Sequence, residues 1–119
     1  MNTCVVYFSR TGNTKRLAQA IADTAKAPIY DIASAQPSAI ENCDLLILGT
    51  PVEGARPAKE TLEFIEGILK VEGKKAILFC TYRLFGNSRT LKAMEKALAA
   101  KGYETVLCFQ EGHEASQRS

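Results

Sequence analysis

Three hydroxyl side chains and a glycine lie together near the N-terminus, in a segment without acidic residues. An apolar run at residues 4–8 precedes this segment, and a stretch with helical spacing of apolar residues follows it. The start of a helix has about four main-chain N–H groups without partners and the positive end of the helix dipole, so it attracts anions. Glycine lets a ligand approach the main chain closely. We therefore predict a phosphate-monoester site formed by Ser9, Arg10, Thr11, Gly12, Asn13 and Thr14.

Several known motifs compete for this segment. A simpler interpretation is that Thr11 or Asn13 only caps the helix, but three hydroxyls directly after a strand favour phosphate binding. The segment lacks both the triphosphate P-loop pattern and the G-x-G-x-x-G dinucleotide pattern. Cys4 and Arg10 have the C-x5-R spacing of phosphatases, which is coincidental because Cys4 begins an apolar strand. The remaining pattern, [ST]-x-T-G-x-T after the first strand, resembles the phosphate loop of the flavodoxin family, which binds FMN.

The rest of the chain supplies the elements that position this loop. Apolar runs at residues 3–8, 27–32, 44–49, 75–80 and 103–109 predict five strands. Helical spacing is found from residue 13 to 26, from 57 to near 73, and from 87 or 88 to just before 102. The predicted inner faces are Leu17, Ala18, Ile21 and Ala25, then Ala58, Leu62, Ile65 and Leu69, then Leu91, Met94 and Leu98. This alternation predicts an α/β fold with a doubly wound, five-stranded parallel sheet of order 2-1-3-4-5.

Ligands of such sheets bind where the strand order reverses, between the first and third strands. The resemblance to flavodoxins covers about residues 3–109, and it implies that two further loops at this edge flank a flavin ring. The implied contacts are Pro51, Val52, Glu53 and Gly54 from one loop, and Thr81, Tyr82, Arg83, Phe85, Gly86 and Asn87 from the other. Tyr82 and Phe85 offer an aromatic face, although either ring alone is equally expected to close the core. Glu53 stands where many flavodoxins have an aromatic residue.

Charge gives a further expectation. The formal net charge is +2, which is too small and too scattered to indicate nucleic-acid binding, and flavodoxins are usually acidic. Arg56 and Arg83 lie in the two flanking loops. A cation near the ring favours the anionic reduced flavin, so we expect a less negative second reduction potential than in acidic flavodoxins.

Length and composition fit one globular domain at residues 1–109 with a polar tail at 110–119. No apolar run approaches the length of a membrane span, and no signal peptide is evident, so we expect a cytoplasmic protein. The four cysteines lack metal-site spacing and are expected to be small buried thiols, and no metal is expected. His113 lies in the polar tail and is expected to be solvated.

The resemblance also reveals a departure, because no amphipathic fifth helix follows residue 109. The sheet face beside the first helix is then expected to be open and to bind a redox partner protein or a second copy of the chain. The function predicted is FMN-dependent electron transfer to or between redox enzymes, with no catalytic side chain; direct reduction of a small substrate is a close variant. The alternative is a binding or regulatory subunit of a redox complex with weak or no flavin binding. A receiver domain is excluded because Ser9 and Gly49 stand where acidic residues are needed.

Overall fold

The fold is that of a computed structural model, which describes residues 2–83 and 85–112. Its strands are β1 (Thr3–Tyr7), β2 (Ile29–Asp31), β3 (Leu45–Glu53), β4 (Arg56–Pro57), β5 (Lys74–Tyr82) and β6 (Tyr103–Gly112). Its α-helices are α1 (Asn13–Ala25), α2 (Lys59–Glu66) and α3 (Asn87–Ala99), and a short 3-10 helix covers Pro37–Ile40. The 3-10 helix lies in the polar connection between β2 and β3.

The main sheet is parallel and has the order β2-β1-β3-β5-β6. Because β4 only forms a small antiparallel pair with β3, this order is equivalent to the predicted 2-1-3-4-5. The doubly wound fold is thus confirmed. Tyr7, the last residue of β1, lies opposite Gly49 of β3. Because the two strands are parallel, the chain leaves both of them at the edge where the strand order reverses.

Helices cover the two faces of the sheet unequally. Helices α2 and α3 enclose the larger core with the side chains that β1, β3 and β5 direct to that face. Among the described elements, only helix α1 packs on the other face, where the ring of Phe79 stacks on that of Phe109 with 5.4 Å between centroids. Gly49 leaves room for this ring, since a Cβ atom there would lie 2.1 Å from Cζ of Phe79.

The inner faces of two helices differ from the prediction. Helix α2 ends at Glu66 rather than near residue 73, and it buries Phe64 and Ile65, while Leu69 is 66% exposed. Leu62 is only half-buried. In α1 the buried small residue of the last turns is Ala22, and Ala25 is exposed. The predicted inner face of α3 is confirmed.

The ends of several elements also differ from the prediction. Strand β3 continues through the segment expected to be a loop, and Pro57 lies in β4 rather than in the first turn of α2. Glycines in left-handed conformation, Gly12 and Gly86, occupy the N-cap positions of α1 and α3, and no side chain caps either helix. Gly102, which follows α3, also has a positive φ of 94°, as a glycine just after a helix commonly does.

The cysteines depart from the expectation of four buried thiols. Cys4 of β1 and Cys43 before β3 form a disulfide with 6.2 Å between their Cα atoms. Cys80 is a buried thiol, whereas Cys108 is exposed. The pairing of β1 with β3 brings the first two together across 39 residues of sequence, which a spacing pattern does not reveal.

Strand β6 forms one edge of the sheet and runs to Gly112, three residues past the predicted end of the domain. A bulge at Val106 shifts its register against β5, and Leu107 is 54% exposed. His113 and the rest of the predicted tail lie outside the described residues. No helix in the described part of the chain is long and apolar enough to cross a bilayer.

Candidate flavin site

The turn between β1 and α1 presents main-chain N–H groups at the edge where the strand order reverses. Gly12 has φ 97°, and a Cβ atom added there would meet nothing within 4 Å. Its own N–H donates to Oγ of Ser9 at 3.0 Å. At the start of α1, the amides of Thr11, Asn13, Thr14 and Lys15 have no acceptor among the described residues. A helix start with free amides and open space in front of its glycine is a site for an anion.

Two of the three hydroxyls in this turn already have partners. Ser9 accepts the hydrogen bond from Gly12, and Oγ1 of the buried Thr14 lies 2.7 Å from Oγ1 of Thr81 at the end of β5. One hydroxyl of this threonine pair donates to the other, which leaves one proton available for a ligand. The hydroxyl of Thr11 is exposed. The pair of threonines also ties the first turn to the third loop of the site.

A cleft of about 330 Å³ lies between the three loops. Its volume falls near the lower end of the range for small-molecule sites, about 300–1,000 Å³. The cleft is lined by Arg10, Thr11, Asn13, Pro51, Val52, Glu53, Gly54, Ala55, Thr81, Tyr82, Arg83 and Phe85. The fold therefore brings eleven of the sixteen predicted site residues together around one cavity.

The other five predicted residues do not line this cleft. Ser9, Gly12 and Thr14 belong to the turn beside it. Gly86 and Asn87 begin α3, and Gly86 packs against the first flanking loop. Ala55 also lines the cleft but was not among the predicted contacts. Its place there depends on the tight turn between β3 and β4, which the sequence did not predict.

Arg10 joins the phosphate turn to the first flanking loop. Its guanidinium forms a two-pronged ion pair with Glu53, one prong being Nη2 to Oε1 at 3.0 Å, and Nη2 also donates to Oε1 of Glu60 at 2.8 Å. These carboxylates raise the pKa of Arg10. The pKa of Glu60 is lowered by its own main-chain amide and by Arg10. The guanidinium also lies 4.8 Å from the centre of the Phe8 ring. Arg10 is thus committed to carboxylates, and a phosphate in the turn would rely on amides and hydroxyls.

The first flanking loop is a tight hairpin rather than an irregular loop. Gly54 and Ala55 have φ values of 61° and 63°, the signature of a type I′ turn joining β3 to β4. Below the turn, Oγ1 of the buried Thr50 accepts the N–H of Ala58 at 3.1 Å and lies 2.9 Å from Oγ1 of Thr61. These contacts anchor the hairpin to the start of α2.

The second flanking loop carries both aromatic side chains predicted for the site. The ring of the half-buried Tyr82 lies against Gly112 of β6, where a Cβ atom would be 3.1 Å from Cζ. Phe85 is 70% exposed. A Cβ atom on Gly86 would lie 2.6 Å from Cα of Ala55, so the two flanking loops are in contact at this point. The cleft therefore has one fixed aromatic wall at Tyr82 and one exposed ring at its mouth.

Comparison with known proteins defines the class. The family model for the flavodoxin domain matches residues 4–105, so the chain belongs to the flavodoxin family. It is 36% identical over 108 residues to an uncharacterized protein of Methanocaldococcus jannaschii, which covers 89% of this chain and 71% of that protein. It is 34% identical over 125 residues to a flavodoxin of Clostridium beijerinckii, with 95% and 90% of the two chains covered.

Solved structures agree on the fold. A flavodoxin from Streptococcus pneumonia TIGR4 matches with a TM-score of 0.81 at 19% identity, covering 97% of this chain and 87% of that chain. Oxidised flavodoxin 1 from Bacillus cereus matches with a TM-score of 0.78 at 23% identity, covering all of this chain and 88% of that one. The resemblance stated from the phosphate turn is thereby confirmed.

Proposed function

We propose that this protein binds FMN and transfers electrons to or between redox enzymes. The observation that supports this most directly is the set of free amides around Gly12 at the start of α1, which fit a phosphate monoester. Membership of the flavodoxin family suggests that this phosphate is that of FMN. Thr11 and the Thr14–Thr81 pair supply hydroxyl protons to the same group. The expected cytoplasmic location stays a prediction.

The cleft residues have roles that suit a flat ring. Tyr82 would stack on one face of the flavin, and Pro51 and Val52 would cover the other. Offset stacking of aromatic rings contributes about 0.5–1.5 kcal/mol beyond the area buried. The bound flavin would supply the electron-accepting and electron-donating chemistry, and the protein residues would hold it and exclude water. No side chain is needed as a nucleophile, acid or base.

The expected reduction potential is part of the proposal. Arg83 is exposed, lines the cleft and forms no ion pair among the described residues. Arg56 does not line the cleft; it lies in a groove beside α2 that also contains Glu63 and Glu66. Glu53, the acidic residue of the first flanking loop, is ion-paired with Arg10, which it shares with Glu60. A positive environment favours the anionic reduced flavin, so we expect the second potential to be less negative than in acidic flavodoxins. Spectroelectrochemistry that gives a strongly negative second potential would refute this.

FMN titration followed by flavin fluorescence tests the binding proposal. Thr11→Glu places a carboxylate in front of the free amides, and Thr24→Glu makes the same change at the other end of α1 as the control. Two like charges about 4 Å apart at an effective dielectric constant of about 20 repel by about 4 kcal/mol, so Thr11→Glu should weaken binding at least about a hundredfold. Equal affinity of both variants would contradict the phosphate site.

A second candidate function has its own support. Ser9 and Thr14 are hydrogen-bonded within the protein, and Phe85 does not cover a ring face from its exposed position. These features suit a flavodoxin-fold binding or regulatory subunit with weak or no flavin affinity. A folded wild-type protein that fails to bind FMN at micromolar concentration would favour this function over electron transfer.

The predicted partner surface on the sheet face beside α1 also stays a proposal. Ile77 packs on this face, Leu107 lies opposite it in the register of β5 and β6, and Leu107 is largely exposed. We propose that a second copy of the chain covers it, because one apolar patch meets its own copy across a twofold axis. Light scattering should show a dimer that Leu107→Lys dissociates. A monomer that instead binds a larger redox protein through this face would refute the homodimer.

A further inference from the structure

A cavity of about 580 Å³ lies at the edge of the sheet opposite to the flavin cleft. It is lined by residues from the segments 36–41 and 67–71 and by Tyr103, and we call it the basal cavity. The two segments precede β3 and β5, and Tyr103 begins β6, so all three lie at the edge where these parallel strands start. The nine residues of β5 span about 25–30 Å. The basal cavity therefore shares no lining residue with the cleft, and its ligand would not touch a flavin.

Packed elements hold the walls of the basal cavity in place. A Cβ atom on Gly67 would lie 2.7 Å from Cγ of Pro37, so the end of α2 packs directly against the 3-10 helix. The N–H of Val71 donates to the carbonyl oxygen of Lys101 at 2.9 Å, which ties the segment after α2 to the start of β6. The volume lies within the range of small-molecule sites, about 300–1,000 Å³. The cavity is thus formed by the fold itself.

The buried part of the basal cavity carries one hydroxyl group among apolar side chains. Ile40, Ile68 and Tyr103 line it, and none of them is more than 4% exposed. The Tyr103 phenol has no hydrogen-bond partner in the part of the chain that the structure describes, and burial alone raises its pKa. It is therefore protonated at neutral pH and able to donate. Because buried polar side chains in native proteins are nearly always hydrogen-bonded, this donor points to a ligand with an acceptor atom.

Two exposed charges of opposite sign stand on the two walls of the basal cavity. Lys70 and Glu41 both line it, and neither forms an ion pair among the described residues. Lys70 attracts an anion, whereas Glu41 disfavours a second negative charge on the same ligand. We propose that the basal cavity binds a small monocarboxylate with an apolar body, whose carboxylate accepts a hydrogen bond from Tyr103 and is attracted by Lys70. A hydrogen bond to an ionised acceptor is about twice as strong as one between neutral groups. The apolar body would pack on Ile40 and Ile68.

Titration of the ¹⁵N-labelled protein with octanoate, followed by NMR, tests this site. We expect saturable amide shifts concentrated at residues 36–41, 67–71 and around Tyr103, with the turn at residues 9–14 unchanged. Octylammonium has the same chain and the opposite charge, and it should bind at least about tenfold more weakly. Shifts that do not saturate or that centre elsewhere, or equal affinity for both probes, would overturn the proposal. The same affinity is expected with and without FMN, so a failure of the protein to bind FMN would refute the proposed function and leave this site intact.

Three variants assign the two polar contacts. Tyr103→Phe removes the hydroxyl and keeps the ring, so it should lower the affinity for octanoate about tenfold. Lys70→Gln should lower it severalfold at low salt, while Lys92→Gln makes the same change at an exposed position of α3 outside the cavity and should leave it unchanged. Both lysines are exposed, so these two variants test the proposal even if the change at position 103 impairs folding. Unchanged affinity of Tyr103→Phe, or equal losses in the two lysine variants, would refute the proposal.

Discussion

Two glycines with nearly the same main-chain conformation occupy different surroundings, and this allows a matched test. Gly12 has φ 97° with nothing within 4 Å of a Cβ position, whereas Gly86 has φ 94° with Cα of Ala55 at 2.6 Å. An alanine in left-handed conformation costs about 1–2 kcal/mol at either position. At Gly86 the added methyl group also displaces the hairpin main chain, and such overpacking costs about 1–3 kcal/mol more.

We therefore expect Gly12→Ala to lower the free energy of unfolding by about 1–2 kcal/mol, and Gly86→Ala by about 2–5 kcal/mol. Because the chain has no tryptophan, urea unfolding of the apoprotein is followed by far-UV circular dichroism. The melting temperatures should differ by about 4 °C for each kcal/mol between the variants. If the two variants lose the same free energy of unfolding within about 0.5 kcal/mol, the two flanking loops are not in close contact at Gly86 and Ala55.

Further expectations concern the thiols and one buried phenol. Burial raises the pKa of Cys80 to about 12, whereas Cys108 is exposed. Ellman's reagent at pH 8 should therefore modify Cys108 in the native protein and Cys80 only after unfolding. Reaction of two thiols in the native protein would contradict this. The Tyr7 phenol donates to the Asp31 carboxylate at 3.1 Å, so Tyr7→Phe should lower stability by about 1 kcal/mol at pH 7. Burial, and to a smaller extent the charge of Asp31, raises the pKa of Tyr7 above its usual value of about 10. The stabilisation by this hydrogen bond is therefore complete below about pH 10 and is lost as the pH rises through the raised pKa. A difference in urea midpoints that stays constant from pH 7 to pH 11 would contradict this.

The fold was predictable because its signals are local. Each central strand is a continuous apolar run, and the phosphate turn joins a strand to a helix within six residues. Gly102 marked the end of the third helix, and it has the positive φ that is common just after a helix. The order of the strands follows from alternation of strands and helices, so it needed no knowledge of individual contacts.

The details of the site depend on contacts between distant segments. Arg10 binds Glu53 across 43 residues and Glu60 across 50, and no spacing pattern predicts such pairs. The hairpin at Gly54 and Ala55 lies between two prolines, which favour an irregular loop in a sequence-based interpretation. The inner face of α2 was misassigned because the helix ends at Glu66, a full turn before the last predicted contact at Leu69.

The close approach of Gly49 to the Phe79 ring links two positions that lie 30 residues apart. Since no side chain fits at position 49 beside a phenyl ring, neither residue can be replaced on its own without loss of packing. Related chains that carry alanine or a larger residue at the first position should therefore carry a smaller one at the second. In the family, substitutions at these two positions should therefore occur together. A double variant, Gly49→Ala with Phe79→Leu, should also be more stable than the single variant Gly49→Ala, because the smaller side chain at position 79 makes room for the added methyl group.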